Sequence, residues 1–202
     1  MKATSDHHHG IVDELRGVLL FVAAIWVVFL VGQLVVSLDQ FALVPRFWRG
    51  LPGIVAMPFL HASFHHLLSN TLPLVVLLTL LAGSRARSPA IAATIILLGG
   101  LLLWLFGRNG TATEPIAHVG ASGLVFGLIT FLILSGITER RLVPLLVSVL
   151  VGLLFGGTLL WGVLPLQQAQ VSWDGHLSGA VAGAAAAAVI FASPRQPVTG
   201  DG

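Results

Sequence analysis

Gly120-Ala121-Ser122-Gly123-Leu124-Val125-Phe126-Gly127 opens an apolar run, 119–137, long enough to cross a bilayer. A helix needs about 20 apolar residues to span a hydrocarbon core of roughly 30 Å. Polar side chains inside such a run are expensive and mark function by default. Two readings of the string stand side by side. Gly120, Gly123 and Gly127 can form a small-residue face on which another helix packs closely. They can equally let a peptide backbone approach Ser122 as a nucleophile. The pattern is Gly-x-Ser-Gly, only loosely like Gly-x-Ser-x-Gly, and the strand and soluble sheet of an α/β-hydrolase elbow are missing.

Working outward, five more apolar runs flank this one, at 15–37, 66–82, 90–107, 142–164 and 174–193. The breaks are clear: Asp39 with Pro45-Arg46, the polar turn Gly83 to Pro89, Arg108-Asn109-Gly110 to Pro115, Glu139-Arg140-Arg141, Pro165 with Gln167-Gln168, and Pro194. The 202 residues are 56% hydrophobic and 9% charged, with a mean hydropathy of +0.96. Soluble domains carry about 25% charged residues, so the composition reads as an integral all-α membrane protein. One unit is expected over 15–193, with polar tails at 1–14 and 194–202. The N-terminal end lacks a cleavable signal pattern, and its His7-His8-His9 run reads as part of a polar tail. The net charge of +2 reflects few acids and no basic patch, which argues against a nucleic-acid partner. With no cysteine, disulfides, thiolate metal sites and a cysteine nucleophile are excluded.

Lys and Arg set orientation. Lys2, Arg16, Arg85, Arg87, Arg140, Arg141 and Arg195 fall on one side of a six-span layout, and Arg46, Arg49 and Arg108 on the other. Seven against three places both termini in the cytoplasm and favours a prokaryotic plasma membrane. The starts of the second, fourth and sixth spans then share the outer leaflet. His66, Ser122 and His176 lie near those three starts, so three polar sites converge on one side. The first loop, 38–60, is long and apolar, with Trp48, Pro52, Met57 and Pro58, and reads as a structured segment embedded at the interface. Trp104, Trp161 and Trp173 near other span ends fit an aromatic belt.

His176 is the candidate base to match it. Gly175, Gly179 and Gly183 recur every four residues, so one face of the sixth span is bare backbone beside His176. Packing of that face on the glycines of the fourth span would bring Ser122 and His176 together. Phe126, four residues after Ser122, shares its face and can pack on the imidazole. No carboxylate completes a triad: Asp174 faces elsewhere on the helix, and Glu114 and Asp39 are loop residues. A Ser–His dyad held by packing is the reading. His66 and Asn70, at i and i+4 on the second span, are either oxyanion donors or a satisfied core pair. His61 and His65 raise a metal site as an alternative. A metal needs three or four convergent ligands, and no intramembrane carboxylate or thiolate joins them, so neither a metal nor any other cofactor is expected.

Depth adds a geometric demand. The run holding Ser122 begins at Ile116, whereas His176 follows the start of its run by two residues. Regular helix from Ile116 would sink Ser122 by about 9 Å and leave His176 only about 3 Å down. The two meet only if 116–121 is a non-helical segment and the fourth helix starts near Ser122. Ser122 then sits at a helix N-terminus, whose free N–H groups and positive dipole end favour an oxyanion.

The strings His61-Ala-Ser-Phe-His65-His66-Leu-Leu-Ser-Asn70, Gly120-Ala-Ser122-Gly and His176-Leu-Ser-Gly179-Ala-Val-Ala-Gly183 resemble the three signature motifs of rhomboid intramembrane serine proteases. Their order, the six spans and the N-in orientation match as well. The resemblance implies a six-transmembrane-helix rhomboid-like bundle that cleaves transmembrane protein substrates within the lipid bilayer. By the same resemblance Ser122 is the nucleophile and His176 the base, and His66, Asn70 and the Ser122 backbone N–H are oxyanion donors. Phe126 takes the aromatic position that stacks on the base, and His61 a structural one. Trp48-Arg49 stands upstream of where the family's first-loop Trp-Arg would fall in a gapless match. Two other classes remain open: a rhomboid-like pseudoenzyme that binds transmembrane clients, and a small membrane transporter. Intact Ser122 and His176 argue against the first. No obvious internal repeat supports the second.

Overall fold

In hydrocarbon every backbone N–H and C=O must be satisfied within the chain, so long apolar runs become helices. The computed structural model describes residues 10–84, 88–111, 113–139, 141–166 and 171–192. Seven α-helices follow in order among them: α1 (Ile11–Leu34), α2 (Gly53–Ala56), α3 (Phe64–Ser84), α4 (Ser88–Phe106), α5 (Ser122–Glu139), α6 (Leu142–Gly162) and α7 (Trp173–Ala192). Among the described residues α1, α3, α4, α5 and α6 are long and apolar enough to cross a membrane. The 20-residue α7 starts Trp-Asp-Gly-His and continues rich in Ala and Gly, and it falls outside those five.

α1 begins at Ile11, so residues 11–14, read from the sequence as tail, form its first turn. Asp13 and Glu14 suit that place because carboxylates are favoured at a helix N-terminus. The rest of the expected N-terminal tail up to residue 9, the 194–202 tail, Arg85 to Arg87, Arg140 and Gln167-Gln168 lie outside the described residues.

α5 is the central helix. Leu124 to Ile129, Phe131 and Leu132 are buried along it. It lies closest to α7, with α6, α4 and α3 around it, while α4 also packs on α7 and α1 leans on α3. Leu67, Leu74, Leu77 and Leu81 of α3 and Ile95 of α4 complete the core. α1 and α6 turn many large apolar side chains outward, such as Leu19 and Leu153. Such faces suit lipid, which is as apolar as leucine.

Side chains do not set the α5–α7 distance. A β-carbon on Gly179 would overlap the Gly123 carbonyl, and one on Gly183 the Gly127 carbonyl. The helices therefore touch backbone to backbone, the use small residues serve between membrane helices. The first loop is structured, as its composition led one to expect. It holds three 3₁₀ turns and α2, and buries Ala42 and Leu43. Leu43, Met57 and Leu103 form a second small core with Ile54 and Trp104. An isolated antiparallel bridge joins Leu43 to His118 and ties this loop to the segment before α5.

Candidate active site

Among the described residues the segment between α4 and α5 is not helical, and α5 starts at Ser122, as the depth argument demands. Two sets of backbone bonds hold the segment in place. His118 and Leu43 exchange N–H···O bonds of 2.8 and 3.1 Å, and the Gly120 N–H donates to the Met57 carbonyl at 2.9 Å. Gly120 was expected among the helix-packing glycines. It lies instead just outside the helix with φ +114°, a backbone conformation that favours glycine. A β-carbon there would fall 2.6 Å from His66 Cε1 and Nε2, so the absence of a side chain seats the imidazole. Gly123, Gly127, Gly179 and Gly183 do pack helix on helix.

Ser122 is half-buried at the first position of α5. The first N–H groups of a helix have no acceptor within it, and among the described residues those of Ser122, Gly123 and Leu124 have none outside it. Among the described residues the Ser122 hydroxyl makes no hydrogen bond, to His176 or otherwise. Catalytic hydrogen bonds are often long in the absence of substrate.

One turn along, the Phe126 ring stacks on the His176 imidazole, with centroids 4.1 Å apart and planes 4° from parallel. His176 Nδ1 lies 2.9 Å from the Gly162 carbonyl at the end of α6. A carbonyl only accepts, so Nδ1 carries the proton and Nε2 keeps a lone pair. This tautomer is the one a general base requires. Packing alone was expected to hold the ring, but a backbone acceptor shares the task. Gly162 has no room for a side chain, because a β-carbon would run into Phe126 and lie 3.4 Å from His176 Nδ1.

On α3, Asn70 is buried and its Nδ2 donates to the His66 carbonyl at 2.8 Å. One amide hydrogen is thus bound within the helix and the other is left over. The His61 and His66 rings meet edge to face at 5.0 Å. His61 lies before α3, and neither of its ring nitrogens has a hydrogen-bond partner among the described residues. Burial, reinforced by charge on His66 and opposed by the Phe59 backbone, holds its imidazole down to about 4.

Four residues of the neighbourhood were not read together from the sequence: Arg108, His118, Ser172 and Asp174. Among the described residues Asp174 makes no hydrogen bond to His176. Its carboxylate accepts from the Arg108 N–H at 2.8 Å and from the Arg108 guanidinium at 3.1 Å. His118 Nδ1 is 2.7 Å from Ser172 Oγ, and its Nε2 3.0 Å from the Arg108 carbonyl. Burial keeps the His118 imidazole below its ordinary range, against the Arg108 carbonyl and the Asp174 charge, which raise it, while the Arg108 charge lowers it further. A lone loop histidine gives no sequence signal of this. The available hint was spacing, since His118 precedes Ser122 by the same four residues as Ser172 precedes His176.

Comparison with known proteins supplies an independent line. A family model described as "Rhomboid domain" matches residues 44–193. An uncharacterized protein of Mycobacterium tuberculosis strain H37Rv is 44% identical over 184 residues, covering 89% of this chain and 76% of its own length. One from Mycobacterium bovis matches to the same extent. One from Mycobacterium leprae is 38% identical over 183 residues, covering 89% of this chain and 72% of its own length.

Proposed function

The chain belongs to the rhomboid family, and from that premise we propose that it is an intramembrane serine endopeptidase working through a Ser122–His176 dyad. The observation that supports this most is the state of the base. His176 is stacked on Phe126, its Nδ1 proton is committed to Gly162, and Nε2 is left for the nucleophile. In this reading α7 is the sixth span alongside the five apolar helices. Both termini are cytoplasmic, and the site opens to the outer face of a prokaryotic plasma membrane.

Ser122 Oγ attacks the scissile carbonyl of another protein's transmembrane segment while Nε2 takes its proton. The tetrahedral oxyanion is met by the free N–H groups at the start of α5, by the spare Asn70 amide hydrogen and by His66. His176 then gives the proton to the leaving amine. Water, activated by the same imidazole, hydrolyses the acyl-serine and restores both groups. No bound cofactor is required, and water must reach the site through a polar cavity.

A rhomboid-like client-binding pseudoenzyme and a small transporter make opposite predictions. A fluorophosphonate probe should label the purified protein at Ser122, located by peptide mass spectrometry, and labelling should vanish in His176→Ala. A folded protein that takes no label would favour a non-catalytic member of the family.

A further inference from the structure

The glycine contact between α5 and α7 fixes how near the helices come, but two bare backbone faces offer little to stop one sliding along the other. A slip of one residue is about 1.5 Å along a helix axis, and misplacing reacting groups by 1 Å can cost about 100-fold in rate. The Phe126–His176 stack opposes such a slip, and a second set of contacts between the two elements lies at the end where Ser122 and His176 stand.

We propose that His118 and Ser172, braced by Arg108 and Asp174, form a clamp that positions Ser122 and His176 for the reaction proposed above, on whose reading this inference rests. His118 and Ser172 each stand four residues before their respective reacting side chain, and they are bonded to each other at 2.7 Å. The Ser172 carbonyl accepts the His176 N–H at 3.0 Å, so Ser172 anchors the first turn of α7. His118 is locked to Leu43 by both of its backbone groups.

Further hydrogen bonds brace this pair, and Ser172 Oγ also lies 3.4 Å from Asp174 Oδ1. Arg108 accepts from His118 Nε2 through its carbonyl at 3.0 Å, and donates to Asp174 through its N–H and guanidinium. The guanidinium also donates to the Val171 carbonyl at 3.1 Å and sits 5.4 Å from the centre of the Trp173 ring. Because the Arg108 carbonyl only accepts, Nε2 is the protonated nitrogen of His118 and Nδ1 receives the Ser172 O–H. A polar network with several hydrogen bonds holds its members in one geometry, and here the bonds link the segment that leads into Ser122 to the helix carrying His176. All four are positioning residues, and none is placed to touch substrate.

The test compares the full-length protein with Ser172→Ala and Ser172→Thr in liposomes. Ser172→Ala should lower kcat roughly 10- to 100-fold with KM and the unfolding midpoint near wild type. Ser172→Thr, which keeps the hydroxyl, should recover most of the loss. An unchanged kcat in Ser172→Ala, or a threonine variant no better than alanine, would overturn the clamp. A second arm needs no turnover. In protein labelled with ¹⁵N-histidine, the His176 ring signals, assigned with His176→Gln, should shift in Ser172→Ala and return in Ser172→Thr. Unmoved signals in Ser172→Ala would overturn the clamp even in a silent protein. Shifted and rescued signals in a protein that neither cleaves nor takes a serine probe would sink the protease reading and keep the clamp. If Ser172→Ala does not fold, Asp174→Asn, with nearly the same volume, is read by the same criteria.

Discussion

Two sets of glycines look alike in the sequence and behave differently in the fold. Gly179 and Gly183 of α7 press against the carbonyls of Gly123 and Gly127, whereas β-carbons on Gly152, Gly156 and Gly157 of α6 would meet nothing within 4 Å. Small residues at helical spacing are thus no proof of a close contact, because the partner must also offer bare backbone. α5 offers it toward α7. Toward α6 it does so at Gly136, where a β-carbon would run into the Pro144 carbonyl, and Ser148 Oγ donates to the Ile133 carbonyl across the pair, but Gly152, Gly156 and Gly157 have no such partner. The tight pair carries Ser122 and His176. α6 reaches the site through its last residue, Gly162.

The largest break in this contrast should come from Gly183→Ala. The atoms in the way are backbone atoms of Gly127, which cannot turn aside. Overpacking costs typically about 1–3 kcal/mol, and the helices must part, so turnover should fall by about 100-fold with a lowered unfolding midpoint. Unfolding in detergent micelles and steady-state cleavage together check both parts.

Gly162→Ala should act more narrowly. Its β-carbon would meet Phe126 at the stack on His176, so the base shifts while the helices stay packed. A kcat drop of roughly 10- to 100-fold with little change in KM is expected. A full loss of folded protein would instead show that the end of α6 carries the bundle.

Most of this was legible before the fold, and the part that was not has a physical reason. The apolar runs gave the helices because hydrocarbon leaves no other satisfied backbone. Depth arithmetic from Ile116 and His176 required the non-helical segment and the helix start at Ser122, both of which are found. Phe126 was legible from its four-residue spacing. The acceptor that holds His176 was not, because every residue has a carbonyl and only the tertiary fold brings that of Gly162 to Nδ1. Gly120 was misread as a packing glycine, because a pattern of small residues does not tell a helix from the turn that precedes it. The pairing of Asp174 with Arg108 spans 66 residues and left no local signal.

A smaller effect concerns pH. His61 holds its imidazole near 4 in the fold, while the unfolded chain titrates near 6.5. Between those values the unfolded chain binds a proton that the folded one refuses, so stability present above pH 6.5 is lost as pH falls toward 4. The unfolding midpoint should decline over that window, and His61→Phe should make the decline shallower. An unchanged slope would place the titration elsewhere.

The smallest effect should be that of Gly156→Ala. With open space around the new methyl group, stability should change by no more than about 0.5 kcal/mol and kcat should not change. A loss like that of Gly183→Ala would erase the distinction between the two glycine sets.

The most direct measurement is cleavage itself. Purified wild-type protein and Ser122→Ala should be reconstituted in liposomes with a panel of single-span membrane proteins, and the products mapped by mass spectrometry. The account predicts that the wild type cuts at least one of them in or beside its transmembrane segment, and that Ser122→Ala, equally folded, cuts none. Undiminished cleavage by Ser122→Ala would contradict a serine mechanism at this site.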